Sequence, residues 1–371
     1  TLSLKVRVPG TVEEYYWDAL SNNKGLGNTG DYKGVSWWGT DFTVSREMKG
    51  KRIKIFFSEG IRQRAEVFVN RKLVGYELVH QTPFEIDVTD VVNYGSNNEL
   101  AVRITDPSGN FSWGDYTGDK WGDYLFPQSH GFGGILGAVE LRSVSPLYVS
   151  DVFVKNKPSL KDIDVDIEII NEASSKVLKG SVDVAIVEAW KGNAPVTDPK
   201  TLFTKNLGKM NVKTGETIKL TFSASVPEAR LWELKNSNLY NVVTTIKDSK
   251  GKVVDQHKQR FGFRFLSVEG YGKNATLNFN GKRTLLISSI SWGYWPTNGM
   301  YPTRELARKH IESAFILGQN MLNFHRCQGN TQVLDLADEM GMLYYEEPGG
   351  YSSSRVKEGS EQSKMKNRLL A

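Results

Sequence analysis

Between Asp41 and Thr105 the chain alternates apolar and polar residues in short runs, DFTVS, KRIKIFFSE, RAEVFVN, KLVGYEL, PFEIDVT and NELAVRIT, split by Gly, Asn, Asp and Pro. A period of two sends successive side chains to opposite faces of a strand. Strands spaced about ten residues apart predict an antiparallel sandwich over residues 1–148. Within VFVNRKLVG, Asn70 and Arg71 are the turn residues of a predicted hairpin, because Asn tolerates the left-handed backbone that tight turns need. Residues 149–264 repeat the texture in SDVFVKN, DIDVDIEIIN, KGSVDVAIVEA, ETIKLTFSASV, LYNVVTTIKD and KVVDQHKQRFGF. About seven such strands suit an immunoglobulin-like sandwich, in architecture only, since the cysteine pair of antibody domains is absent.

After Arg264 the period changes. LNFNGKRTLLISSISWG predicts a hairpin and then a buried strand, and TRELARKHIESAFILG carries apolar residues at helical spacing. QNMLNFHR reads as a second buried strand, TQVLDLADEMG as a helix stopped by Gly341, and MLYYEEPGG as a third strand. Strand, helix, strand, helix, strand predicts parallel βαβ units over residues 265–371. The last residues, SSSRVKEGSEQSKMKNRLLA, read as a polar loop and the start of a helix. Residues 106–134 fit none of these patterns. Loops of that length are usually functional or disordered, and Trp113, Tyr116, Trp121, Tyr124 and Phe126 argue against disorder.

Composition narrows the function classes. Hydrophobic residues make up 39% and charged residues 24% of the 371, as in a globular protein, and no stretch approaches the roughly 20 apolar residues of a membrane span. The 47 basic and 42 acidic side chains are spread along the chain, which disfavours a nucleic-acid footprint. Cys327 is the single cysteine, so no intrachain disulfide forms, and the five histidines show no metal-ligand spacing. No phosphate loop or nucleotide fingerprint is present, and no cofactor is expected. Cys327 has His325 nearby but nothing else of a nucleophilic triad. TLSLKVRVPG lacks a signal-peptide core, which fits either a cytoplasmic protein or a periplasmic or secreted one whose signal has been removed. Nine tryptophans suggest large core residues or rings on which sugars stack.

In order along the chain, VPGTVEEYYW and YKGVSWWGTDFTV, then GFGGILGAVEL, ARLWELKNSNLY, FGFRFLSVEG and LNFNGKRTLLISSIS resemble segments of glycoside hydrolase family 2, the β-galactosidases, β-glucuronidases and β-mannosidases. The chain departs from the family at Leu136 and Gly137, where a Tyr-Arg or Phe-Arg pair is usual, and at Ser237, where Pro is commoner. SWGYWP and NFHRCQGN stand where the family has Asn-Arg-His-Glu and Arg-x-Ser-His-Tyr-Pro types of segment, and Arg326 falls in register with the family's histidine. The resemblance implies a multidomain, mainly β fold. It has a sugar-binding, galactose-binding-like jelly-roll sandwich (1–148), an immunoglobulin-like sandwich (149–264) and the first part of a (β/α)8 TIM barrel (265–371), truncated.

It further implies hydrolysis of β-linked glycosides by a retaining double displacement, with an oligo- or polysaccharide as partner. The alternative is a non-catalytic carbohydrate-binding or scaffolding protein. Retaining glycosidases need two carboxyl groups about 5 to 5.5 Å apart. Glu346 and Glu347 are neighbours on a strand and should face opposite ways, so they are not read as that pair. The family places its acid/base and nucleophile at the ends of later barrel strands. A complete barrel takes about 250 residues, more than follow Arg264, so the catalytic residues are expected beyond this chain, which alone should be silent. The unfinished barrel should show open edges and is expected to be either compensated by partner contacts, such as those of a homo-oligomer, or poorly ordered near its end.

The candidate substrate contacts are His325 and Arg326 after the second barrel strand, Trp292 and Trp295 after the first, Glu346 or Glu347 at the rim, and Asp119 and Trp121 in the long loop beside Asp115 and Asp123. Each has a bland alternative: a hydrogen-bonded pair at a strand end, core packing against the first domain, or a solvated loop. Asp335, Asp338 and Glu339 are read as the solvated face of an amphipathic helix.

Overall fold

The computed structural model describes residues 4–15, 34–62, 64–78, 82–106, 119–121, 124–126, 133–291, 295, 301–325 and 328–347. The first sandwich contains β1 (Gly34–Thr43), β2 (Arg52–Phe57), β3 (Arg64–Val69), β4 (Lys72–Glu77), β5 (Phe84–Asp87), β6 (Asn97–Asp106) and β7 (Val139–Val144). They form antiparallel sheets ordered β1-β6-β3-β4 and β7-β2-β5. Alternate residues, Ile53, Ile55 and Phe57 from one sheet and Ala65, Val67 and Val69 from the other, fill the core between them. The turn from β3 to β4 falls on Asn70 and Arg71, with φ of 50° and 66°, as predicted. Part of the stretch 106–134 is a hairpin rather than a loop: Asp119–Trp121 pairs with Tyr124–Phe126. Only Gly122 and Asp123 separate these strands, a tight-hairpin connection that outweighs the polar texture around it.

The second sandwich packs β8 (Leu147–Asn156), β9 (Asp162–Asn171) and β12 (Thr217–Ser225) against a second sheet. That sheet holds β10 (Leu178–Lys191), β11 (Thr201–Val212), β13 (Asn238–Asp248) and β14 (Val253–Phe261) in the order β11-β10-β13-β14. Ile163, Val165, Ile167 and Ile169 alternate along β9 with no solvent exposure. Lys54 ties the two sandwiches together, donating to Glu85 of the first (2.8 Å) and to Tyr148 Oη and Glu172 Oε1 of the second (2.5 and 3.2 Å).

Beyond Arg264 come the antiparallel pair β15 (Leu266–Glu269) and β16 (Thr276–Phe279), then β17 (Ile290–Ser291), α1 (Arg304–Ile316), β18 (Met321–Phe324), α2 (Thr331–Met340) and β19 (Leu343–Glu346). Strands β17, β18 and β19 pair in parallel in that order. The side chains of Thr303 and Asn330 cap α1 and α2, accepting from Leu306 N and Gln332 N. The helices cover one face of the sheet, burying Leu322 and Phe324 with Ala307, Ile311, Val333 and Leu336. The run before β17, expected to be buried, instead exposes Leu285, Ile287 and Ile290, because nothing among the described residues covers that side.

The three acidic residues of α2 are a correction. They do not form a solvated face; they lock the helix to the second sandwich. Arg260 reaches Glu339 at 3.0 Å and Asp335 at 2.5 Å, Arg264 reaches Asp338 at 2.7 Å, and Arg304 holds the other oxygen of Glu339 at 2.5 Å. Backbone ends join the seam: Trp232 Nε1 donates to Asp338 O (2.7 Å), Ser237 Oγ to Glu339 O (2.6 Å) and Lys235 N to Gly341 O (2.9 Å). Gly341 ends α2 at φ 76°, and a Cβ there would stand 2.5 Å from Lys235 N, so only glycine permits both the turn and the approach. Among the described residues no helix is long and apolar enough to cross a membrane.

Candidate functional site

The parallel sheet sorts the candidate residues by face. Asn323 stands beside Ile290 and Tyr345 in register, and Phe324 beside Ser291 and Glu346. Because Phe324 is buried under the helices, Glu346 belongs to the helix side, while Asn323 and Tyr345 face the other way. One residue further, His325 and Glu347 continue the Asn323 side. The ladder extends to them through His325 N donating to Ser291 O (2.8 Å) and Glu347 N to Phe324 O (3.2 Å).

There the two side chains meet, His325 Nδ1 lying 3.0 Å from Glu347 Oε2 and 3.2 Å from Oε1. The carboxylate makes Nδ1 the protonated nitrogen and fixes the ring's orientation. Glu346 turns to the opposite side and accepts from Gly329 N at 2.6 Å; burial pushes its carboxyl above the usual range, against the pull of that bond. The neighbouring glutamates are therefore split between two faces and cannot converge on one bond. Beneath His325 on its own side, Asn323 Oδ1 is buried with no hydrogen-bond partner among the described residues.

A residue that the sequence did not single out stands nearby. Glu59, between β2 and the short strand Ile61–Arg62 of the first sandwich, accepts from Thr331 N at 3.0 Å, at the first turn of α2. Burial pushes its carboxyl up to about 7, reinforced by Asp335 and Glu346 and opposed by the Thr331 bonds. Nothing local in SEGI marks this role, since the partner lies 272 residues away. Tyr301, just before α1, makes a second bridge of this kind, donating to Glu14 Oε2 at 2.8 Å.

The remaining candidates divide. Trp295 is 7% exposed and sits in the helix-side core with its ring edge-on to His310 at 5.3 Å. Its apolar bulk packs against α1. Asp119 and Trp121 lie on the described hairpin, but their side chains are outside the described residues, as are Trp292, Arg326, Cys327, Asp115 and Asp123. Among the described residues no three His, Cys, Asp or Glu side chains gather as metal ligands.

Comparison with known proteins gives this geometry a family. Residues 24–143 match the sugar-binding domain of glycosyl hydrolases family 2, and residues 147–264 match a second domain model of the same family. A β-glucuronidase of Formosa agariphila is 24% identical over 88% of the chain, and a β-galactosidase of Thermoanaerobacter pseudethanolicus 27% identical over 86%. The chain spans 33% and 40% of those proteins. The crystal structure of a Bacteroides uniformis β-glucuronidase shares the fold, with a TM-score of 0.75 and 20% identity over 99% of this chain and 41% of its own. A β-galacturonidase of Eisenbergiella tayi bound to galacturonate matches with a TM-score of 0.74 at 21% identity, over 99% of this chain and 57% of its own. Two domain models of one family thus cover the two sandwiches, and the chain belongs to glycoside hydrolase family 2.

Proposed function

We propose that this chain serves as the N-terminal part of a retaining glycosidase acting on β-linked sugars such as β-galactosides or β-glucuronides. In this reading residues 1–148 and 149–264 are the two sandwich domains, and residues 265–371 open a (β/α)8 barrel. The observation that carries the reading is the His325–Glu347 pair at the C-terminal ends of adjacent parallel strands, on the face away from the helices. Barrel enzymes build their sites at that end of the strands. A ring nitrogen and a carboxylate oriented by each other can hydrogen-bond sugar hydroxyls.

Arg326 and Trp292 follow the same strand ends in sequence, and we place them with the pair as substrate contacts; Asp119 and Trp121 of the first sandwich are the outer candidates. Glu346 serves as a brace that holds the Gly329 loop, since its oxygen is engaged there. The nucleophile and acid/base are not assigned to residues of this chain, because Glu346 and Glu347 are split between faces. The aligned family names and the carbohydrate-directed first domain support the substrate class.

The test is a panel of nitrophenyl β-glycosides assayed with the protein expressed from its whole gene. Release of nitrophenol with retained anomeric configuration is expected. Inversion, or silence on every glycoside including the galactoside and glucuronide, overturns the reading.

A further inference from the structure

The first sandwich touches, at two points, the loops that leave the C-terminal ends of the parallel strands. Glu59 Oε1 accepts from the N–H of Thr331, the first residue of α2, at 3.0 Å. Tyr301 Oη, two residues before the N-cap of α1, lies 2.8 Å from Glu14 Oε2 and 2.7 Å from Pro9 O. The acceptors stand on one small sheet. Gly10–Thr11 pairs with Gly134–Ile135, which pairs in turn with Ile61–Arg62, so the segments carrying Pro9, Glu14 and Glu59 are laced together by backbone. Val12 N donating to Gly133 O (2.8 Å) and Leu136 N to Gly60 O (3.2 Å) extend the lacing on either side. A shift of this sheet would move both contacts together.

On the βαβ side the two points are joined as well. Gln332 Nε2 donates to Pro302 O (3.0 Å), linking the start of α2 to the residue after Tyr301. Asn330 Oδ1 accepts from Gln332 N, which leaves Thr331 N among the donors of a helix start that need an acceptor from outside the helix. Glu59 supplies it, with a carboxylate at the end of the helix that favours negative charge. From Thr331 the contact passes back along the chain. Gly329 N donates to Glu346 Oε1 (2.6 Å), and a Cβ on Gly329 would stand 2.8 Å from the Phe324 ring, so this turn lies directly against that ring. Phe324 and Glu346 are the chain neighbours of His325 and Glu347. The pair that meets at 3.0 Å on the other face therefore stands on strand ends whose loop is anchored from the first sandwich.

We propose that Glu59 and Tyr301 are positioning residues of the hydrolytic site: through them the first sandwich sets where the His325–Glu347 pair stands against the sugar. The proposal rests on the reading of that pair as a substrate contact. Neither residue touches substrate; each acts through the strand-end loop that it anchors.

The protein expressed from its whole gene is compared with its Glu59→Ala, Glu59→Gln and Tyr301→Phe variants on the nitrophenyl glycoside that the parent cleaves best. Glu59→Ala and Tyr301→Phe are expected to raise KM by about tenfold, the worth of one charge-assisted hydrogen bond, with kcat within about twofold. Glu59→Gln keeps an acceptor for Thr331 N and should stay within about threefold of the parent. In the 371-residue chain, the ring-proton resonance of His325, identified by its loss in His325→Gln, is followed by NMR in the same variants. It should move in Glu59→Ala and Tyr301→Phe and stay in place in Glu59→Gln. Residues that only stabilised the fold would lower the melting temperature and leave both readings of the folded protein unchanged. The two ways to fail are distinct. A parent silent on every glycoside overturns the hydrolytic reading on which this one rests. An active parent whose KM is unchanged in Glu59→Ala, a His325 resonance unmoved by Glu59→Ala, or a Glu59→Gln variant as impaired as Glu59→Ala overturns the positioning role alone.

Discussion

The second sandwich and the βαβ region that follows it use the same apolar residues in different ways. In the sandwich, β9 turns its apolar side chains Ile163, Val165, Ile167 and Ile169 inward at zero exposure, and the core is closed by the sandwich's own elements. In the βαβ region, Leu322 and Phe324 are buried under α1 and α2, while Leu285, Ile287, Ile290 and Tyr345 remain open at 46 to 74% exposure. One unit is self-sufficient; the other leans on its neighbour through α2. The lesson is that the seam, with its three arginines and its buried Trp232, stabilises what the half-covered sheet cannot stabilise alone.

The most severe way to break this contrast is Trp232→Ala. Trp232 has no exposure, packs edge-on against Phe279 and carries the Arg264 guanidinium 4.5 Å over its ring. The expected loss is about 3–5 kcal/mol, read in denaturant midpoints, with the βαβ transition moving farther than that of the sandwich. Equal shifts of both transitions would show that the two regions unfold as one. Glu339→Gln is a milder cut. It removes the charge shared by Arg260 and Arg304, and because those arginines are partly exposed the cost is about 1–2 kcal/mol. A double-mutant cycle with Arg260→Ala measures the coupling.

Glu59 sharpens the comparison through pH, since it joins the first sandwich to the start of α2. Its folded pKa is raised from 4.5 to about 7, so the stability it contributes is fully present below 4.5 and is lost as pH rises through about 7. Glu59→Gln retains an acceptor for Thr331 N but has no proton to lose. Its melting temperature relative to the parent should rise between pH 5 and pH 8; a constant difference would contradict the assignment. The smallest effect belongs to the open face: Ile287→Ser should change stability by no more than about 0.5 kcal/mol. The same replacement at buried Ile167 should be strongly destabilising.

Much of this was legible along the chain. Period-two runs marked the sandwich strands, Asn70 and Arg71 marked their turn, and Gly341 marked the end of α2. The split of Glu346 from Glu347 followed from strand geometry, and both side chains go where alternation sends them. The acidic residues of α2 were misread because helical periodicity shows which face is polar and not what that face meets; Arg260 and Arg264, their partners in the second sandwich, lie 74 to 79 positions earlier. Glu59 was invisible for the same reason, and an aromatic residue after a strand, such as Trp295, has the same local signature in a core as at a site.

The central claim is that Glu346 and Glu347 are not a working carboxylate pair, because they point to opposite faces of one sheet. The most direct measurement is nitrophenyl β-glycoside turnover by the 371-residue chain beside its Glu346→Gln and Glu347→Gln variants. The account predicts no release above background from any of the three; turnover by the parent chain that either substitution abolishes would contradict it.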